Sequence, residues 1–207
     1  MKTTNFESTL PDGYRQVLYI NAKAKKTGII FTVISLVILA AVMAIAAMPL
    51  SLSKACISCA IRDLGATGFL RLYGAFILSM IAYIVLHELV HGAVYKGMTG
   101  EKLTFGISWS CAFCGVPNIY TYRKTALVSV AAPLTVFSLI LLPLTVFLYF
   151  VNPLFYLASA FILGLHLGGC CGDAYVIWLL CAKFKSPRTL MRDTGPEQFF
   201  YIPDSQA

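Results

Sequence analysis

The chain has 207 residues, 58% of them hydrophobic and 12% charged, with a mean hydropathy of +0.78. That composition excludes an ordinary soluble domain and suits a polytopic membrane protein, and the length leaves no room for a separate soluble one. The net charge of +7 does not call for nucleic acid, because the basic residues cluster at the edges of apolar runs, where lipid headgroups account for them.

Met1 to Thr27 is polar and basic, with Arg15, Lys23, Lys25 and Lys26 leading into the first apolar run. It reads as a cytoplasmic segment with room for a short interfacial helix. Gly28 to Leu50 is uncharged and long enough to cross a hydrocarbon core of about 30 Å. A cleaved signal peptide competes with this reading, given the small residues around Ala44 to Ala47. The run exceeds the usual apolar region of about 7–15 residues, which favours an uncleaved anchor. Ser51 to Gly68 forms a loop, and Phe69 to Tyr95 forms the second span.

That span ends in His87-Glu88-Leu89-Val90-His91-Gly92. Histidines at i and i+4 share a helix face, so both imidazoles reach one metal ion. Glu88 lies beside them as a general base for water at that ion, the pattern of a zinc hydrolase, usually a peptidase. Tyr73 to Leu86 carries no charge. A glutamate and two histidines closing such a segment are costly without a function.

Lys96 to Lys124 is the longest polar connection. Leu103 to Ser110 alternates apolar and polar residues, which predicts a β-strand. A second strand over Phe113 to Tyr120, interrupted by Gly115 and Pro117, would complete a small hairpin or re-entrant β element; an irregular loop is the alternative. Thr125 to Val151 is the third span, where Pro133 reads either as a kink near the depth of the motif or as tolerated irregularity. Asn152-Pro153 makes a tight turn, and Leu154 to Cys181 is the fourth span.

The predicted class is therefore all-α: a polytopic membrane protein of about four transmembrane helices, with a small β element between the second and third. The spans are 28–50, 69–95, 125–151 and 154–181. They form a membrane-embedded metallopeptidase domain over 28–182, between cytoplasmic segments 1–27 and 183–207. The positive-inside rule places both termini in the cytoplasm of a multi-pass cell-membrane protein. His87 and His91 lie within about two helical turns of Lys96, in the cytoplasmic half of the bilayer.

Catalytic zinc takes three protein ligands and leaves one position open. The candidates for the third are His166 and Asp173 on the fourth span. At seven residues apart they are separated by about 10 Å along a helix, so one ion takes one of them. Asp173 lies ten residues before Lys183, at the depth of His87, and is the expected ligand. His166 lies deeper, as a residue that supports a metal ligand or meets the substrate, or as a hydrogen-bonded residue between helices. Gly164, Gly168 and Gly172 make a smooth face that would let this helix approach the second span. The expected metal is Zn2+, which two imidazoles and a carboxylate suit. The expected reaction is peptide hydrolysis, with Glu88 taking a proton from water and passing it to the leaving amine. An edge strand such as Leu103 to Ser110 would align an extended substrate by β-augmentation.

Seven cysteines form no disulfide framework. Cys56-x-x-Cys59 and Cys111-x-x-Cys114 are either halves of a zinc knuckle or small apolar residues. The predicted topology puts them on opposite membrane faces, which favours the second reading, with a local disulfide open to the outer pair in an oxidising compartment.

An H-E-x-x-H closing one span, a short β element and an aspartate on a later span resemble the site-2 protease class of intramembrane metallopeptidases. More closely, the chain resembles the bacterial membrane family described as putative zincin peptidases. The likeness rests on His87 to Gly92, on Arg123 to Pro133 and on Gly168 to Asp173. In the site-2 class a glycine follows the aspartate, whereas here Gly172 precedes Asp173 and Ala174 follows it. The resemblance implies a membrane or membrane-proximal protein substrate. The alternatives are a non-enzymatic membrane protein with a structural or partner-binding metal site, a small transporter using His166 and Asp173 as a relay, and a zinc hydrolase of lipids or other amides.

Overall fold

The computed structural model describes residues 5–49, 54–108 and 111–206, with the backbone alone for 54–58 and 206. Among these residues four helical runs are long and apolar enough to cross a membrane. They are α1 (Lys25–Ala47), the Cys59–Thr99 part of α2 (Lys54–Thr99), α3 (Arg123–Val151), and a run over Pro153–Lys183. The last comprises α4 (Pro153–Gly169), α5 (Cys171–Trp178) and a π-helical turn (Leu179–Lys183). Leu36, Val37, Leu70 and Leu78 are exposed on these helices, and such continuous apolar surface needs hydrocarbon rather than water around it. The helices point to a membrane protein.

The all-α expectation is corrected. Strands β3 (Thr104–Ile107) and β4 (Ala112–Gly115) pair antiparallel between α2 and α3. Trp109, Ser110 and the side chain of Cys56 lie outside the described residues. Five more strands build a second sheet: β1 (Phe6–Glu7), β2 (Tyr14–Asn21), β5 (Tyr120–Tyr122), β6 (Leu190–Asp193) and β7 (Glu197–Pro203), in the order β1-β5-β6-β7-β2. The stretch read as a possible interfacial helix is thus strand β2, and the stretch read as a tail is the β6–β7 pair. Their apolar residues cover a core: Val17, Leu18, Ile20 and Phe200 pack with Val130, Val176, Leu179 and Phe184. Local periodicity did not expose this, because β2 pairs with a strand nearly the whole chain away.

The chain divides into two compact units. One comprises Met1–Thr32, His87–Pro133 and Gly172–Ala207 and holds both sheets; the other comprises Val33–Leu86 and Leu134–Cys171 and is helical. In the first, Asn21 Oδ1 accepts from the amides of Lys23 and Ala24 at 2.8 and 3.1 Å, ending β2 and starting α1. The π-helical turn leaves the Leu180 carbonyl to accept from Arg123 Nε at 2.8 Å. A smaller cluster, Tyr95, Val116 and Ile119 with Phe6 and Leu103, joins the end of α2 to the segment leaving the hairpin.

In the helical unit, α2 is broken at Gly65 (φ 61°, ψ 177°), a left-handed conformation that glycine tolerates. Asn152, the single residue between α3 and α4, caps α4: its Oδ1 accepts from the amides of Leu154 and Phe155, and Pro153 takes the first position of the helix. The predicted fourth span is not one helix, because it is interrupted at Cys170 between α4 and α5. The glycine face also serves a different neighbour from the one expected. A methyl on Gly168 would lie 2.6 Å from the Ser35 carbonyl oxygen, and one on Gly164 would lie 2.7 Å from Leu39, both on α1. Ser35 Oγ donates to the Gly168 carbonyl at 2.7 Å. The small residues seat the first helix, not the second.

Gly168→Ala should therefore lower thermal stability in detergent, by about 1–3 kcal/mol for a methyl forced against backbone. The neighbouring Gly169 has open space at its Cβ position, so Gly169→Ala should leave the unfolding midpoint unchanged or raise it.

Candidate active site

His87 and His91 project from one ridge of α2, with ring centroids 5.0 Å apart, and both are buried. Asp173 stands in the first turn of α5, where the helix terminus favours a carboxylate. The interruption at Cys170 starts this new helix just ahead of the aspartate. Asp173 Oδ2 lies 3.3 Å from His87 Nε2 and 3.5 Å from His91 Nε2, and the donor atoms of the three residues all lie within 4.8 Å of one another. Ligands about 2.0–2.1 Å from a tetrahedral ion stand about 3.3–3.4 Å from each other. The observed separations match, so the donor set fits a zinc ion in both chemistry and spacing.

The second nitrogen of His91 is also placed. Its Nδ1 donates to the Ser129 carbonyl on α3 at 2.8 Å, which leaves Nε2 as the nitrogen that faces Asp173. His166, in the helical unit, is fully buried. Tyr83 Oη meets its Nδ1 at 2.9 Å, and Ser138 Oγ meets its Nε2 at 3.1 Å. Both nitrogens are thus engaged by hydroxyls, from α2 and from α3.

Glu88 is half-buried and faces β4, where the Cys114 amide is a hydrogen-bond donor to its carboxylate. The register explains this. Ser108 bonds to Cys111, and opposite residues alternate between bonded and non-bonded pairs. The pairs 106/113 and 104/115 are then bonded, while Ala112 and Cys114 direct their backbone groups away from β3. The hairpin edge that faces Glu88 is therefore β4. The edge of the Leu103–Ser110 strand, expected to align a substrate, carries the outward groups of Phe105 and Ile107 on the opposite side. The hairpin closes on α2 at Gly92, where a methyl would lie 2.8 Å from Phe105 and 3.3 Å from Cys114 Sγ.

Cys111 Sγ lies 3.3 Å from Ser108 Oγ, and burial pushes the Cys114 thiol up to about 12, which keeps it protonated.

Two residues beside the site were not singled out from the sequence. Tyr95 continues the His87, His91 ridge by one more i+4 step, a spacing that could have found it. Tyr95 Oη donates to Asp193 Oδ2 at 2.7 Å. Asp193 lies in the stretch read as a tail, and nothing local marks it. It is 3% exposed, and burial pushes its carboxyl up to about 6, against the bonds from Tyr95 and the Gly195 amide that favour the charged form.

A helical chain with membrane-length apolar helices and two histidines converging on one aspartate has the elements of a membrane metalloprotein. A family model described as "Putative zincin peptidase" matches residues 80–187, just over half of the chain, and the chain belongs to that family. The matched stretch contains His87, Glu88, His91, His166 and Asp173 and ends before Asp193. No curated protein and no solved structure matches the chain.

The raised carboxyl of Asp193 has a definite sign in stability. Its folded value of about 6 exceeds the unfolded one, so its contribution is most favourable below about pH 4 and is lost as pH rises to 6. Unfolding in detergent from pH 4 to 7 should show a loss of up to about 3 kcal/mol from this group. Asp193→Asn should flatten that part of the profile.

Proposed function

We propose that the protein is a membrane-embedded zinc metallopeptidase acting on peptide bonds of membrane or membrane-proximal proteins. The observation that carries this reading is a single Asp173 oxygen set 3.3 and 3.5 Å from the two histidine nitrogens of an H-E-x-x-H helix, with Glu88 beside them. His87, His91 and Asp173 hold the metal, and His91 is kept in the ligating tautomer by the Ser129 carbonyl. Bound zinc supplies a Lewis acid and lowers the pKa of water to about 7. Glu88 accepts the proton of the attacking water and returns it to the leaving amine nitrogen. The Cys114 amide orients the Glu88 carboxylate for both transfers. An extended substrate pairs with the outward amide and carbonyl of Ala112 and the outward carbonyl of Cys114, next to Glu88, and that pairing supplies alignment.

The membrane domain spans residues 28–182, with both termini cytoplasmic by the distribution of Lys and Arg. The strands of the flanking segments 1–27 and 183–207 pair with each other, so those segments act as one cytoplasmic part rather than two tails.

Elemental analysis of detergent-purified protein should find near-stoichiometric zinc in the wild type. Zinc should be lost in Asp173→Ala and kept in His166→Ala and Glu88→Gln. Glu88→Gln should lower peptide cleavage about 10²–10⁴-fold. If zinc binds and Glu88→Gln costs nothing, the site is structural or binds a partner. The pairing edge has its own test. Ala112→Pro removes an outward donor on the Glu88 side and should raise KM about tenfold, whereas Ile107→Pro on the far edge should leave it within about twofold.

A further inference from the structure

Three contacts meet at Asp193. Its Oδ2 accepts from Tyr95 Oη on α2 at 2.7 Å. Its Oδ1 accepts from the Gly195 amide at 2.8 Å, shaping the turn between β6 and β7. Its backbone carbonyl accepts from the Val116 amide at 2.8 Å, on the outer side of the chain leaving β4. Nothing larger than glycine fits where the turn meets the hairpin: a methyl on Gly115 would overlap the Gly195 amide, and one on Gly195 would overlap the Phe113 ring. Two residues back from Val116, the Cys114 amide is the donor that meets Glu88.

From this arrangement we infer that Asp193 is a positioning residue for catalysis. It ties the β3–β4 hairpin to the motif helix through Tyr95 and Val116, and so holds the Cys114 amide on the Glu88 carboxylate. The inference rests on the reading of Glu88 as general base and extends it to a residue beyond the family-matched stretch. Tyr95 takes part because its hydroxyl is the only side-chain bond from α2 to Asp193 among the described residues. At 1% and 3% exposure, neither residue is open to substrate. Both act through the hairpin and not on the peptide. A small displacement of the hairpin would leave the zinc ligands untouched, since none of His87, His91 and Asp173 is held by it in the contacts above, and would misdirect the glutamate.

The test uses full-length protein in detergent, carrying Tyr95→Phe or Asp193→Asn, both close in size to the native residue. Three quantities are read: zinc content, kcat and KM on an internally quenched apolar peptide, and amide hydrogen exchange over 103–116 and 125–151. The expected result is unchanged zinc, KM within about twofold, and kcat lowered about ten- to a hundredfold. Exchange should rise about tenfold over 103–116 and stay unchanged over 125–151. Wild-type kcat in both variants would overturn the inference, as would a rise in KM alone or loss of zinc with kcat per bound zinc unchanged. If the wild type holds zinc and cleaves no peptide, the peptidase reading fails. Exchange then decides the anchoring separately: a loosened hairpin supports it and an unchanged one overturns it.

Discussion

A carboxylate oxygen held against two imidazole nitrogens, within helices that otherwise present hydrocarbon, is the interaction on which the rest of this structure depends. Such groups cannot be left in apolar surroundings without mutual compensation, because the desolvation cost of an unpaired charge there is several kcal/mol. Asp173 and the two histidines compensate one another only while α2 and α5 stand in one relation, so the surrounding chain is built to keep them there. The Ser129 carbonyl fixes the orientation of His91. Starting a new helix after Cys170 sets Asp173 in its first turn, where the helix terminus adds to the stabilisation.

The same helix organises its supports by a simple repeat. Tyr83, His87, His91 and Tyr95 follow at steps of four along α2 and are all buried, whereas most of the other apolar side chains on that helix are exposed. Each is tied by a polar contact: Tyr83 to His166, both histidines to Asp173, and Tyr95 to Asp193. A single polar ridge therefore carries the candidate chemistry and the bonds that align it, while the remaining faces stay apolar. This division lets a long apolar helix carry a polar face.

Close backbone approach does the corresponding job for the β elements. Gly92 lets the hairpin lie on α2, and Gly115 with Gly195 lets the β6–β7 turn lie on the hairpin. None of these contacts leaves room for a side chain. The hairpin is therefore clamped between the motif helix and the C-terminal strands, and the edge it turns toward Glu88 is decided by that clamp together with the pairing register.

The sequence by itself determined the features that depend on neighbours along the chain. The i, i+4 histidines with Glu88 are a property of one helix. The apolar spans follow from length and composition, and the period-two pattern after Lys102 is visible within eight residues. Depth relative to basic residues also favoured Asp173 over His166 without any structure. Only the tertiary structure decided which contacts those elements make. The Gly164 and Gly168 face packs on α1, β4 rather than β3 turns toward Glu88, and Asp193 reaches Tyr95 across nearly a hundred residues. The terminal segments pair as strands for the same reason. Pairing partners so far apart leave no periodic trace in either stretch, since the stabilising energy of a sheet lies in cross-strand contacts and burial and not in the propensity of a single strand.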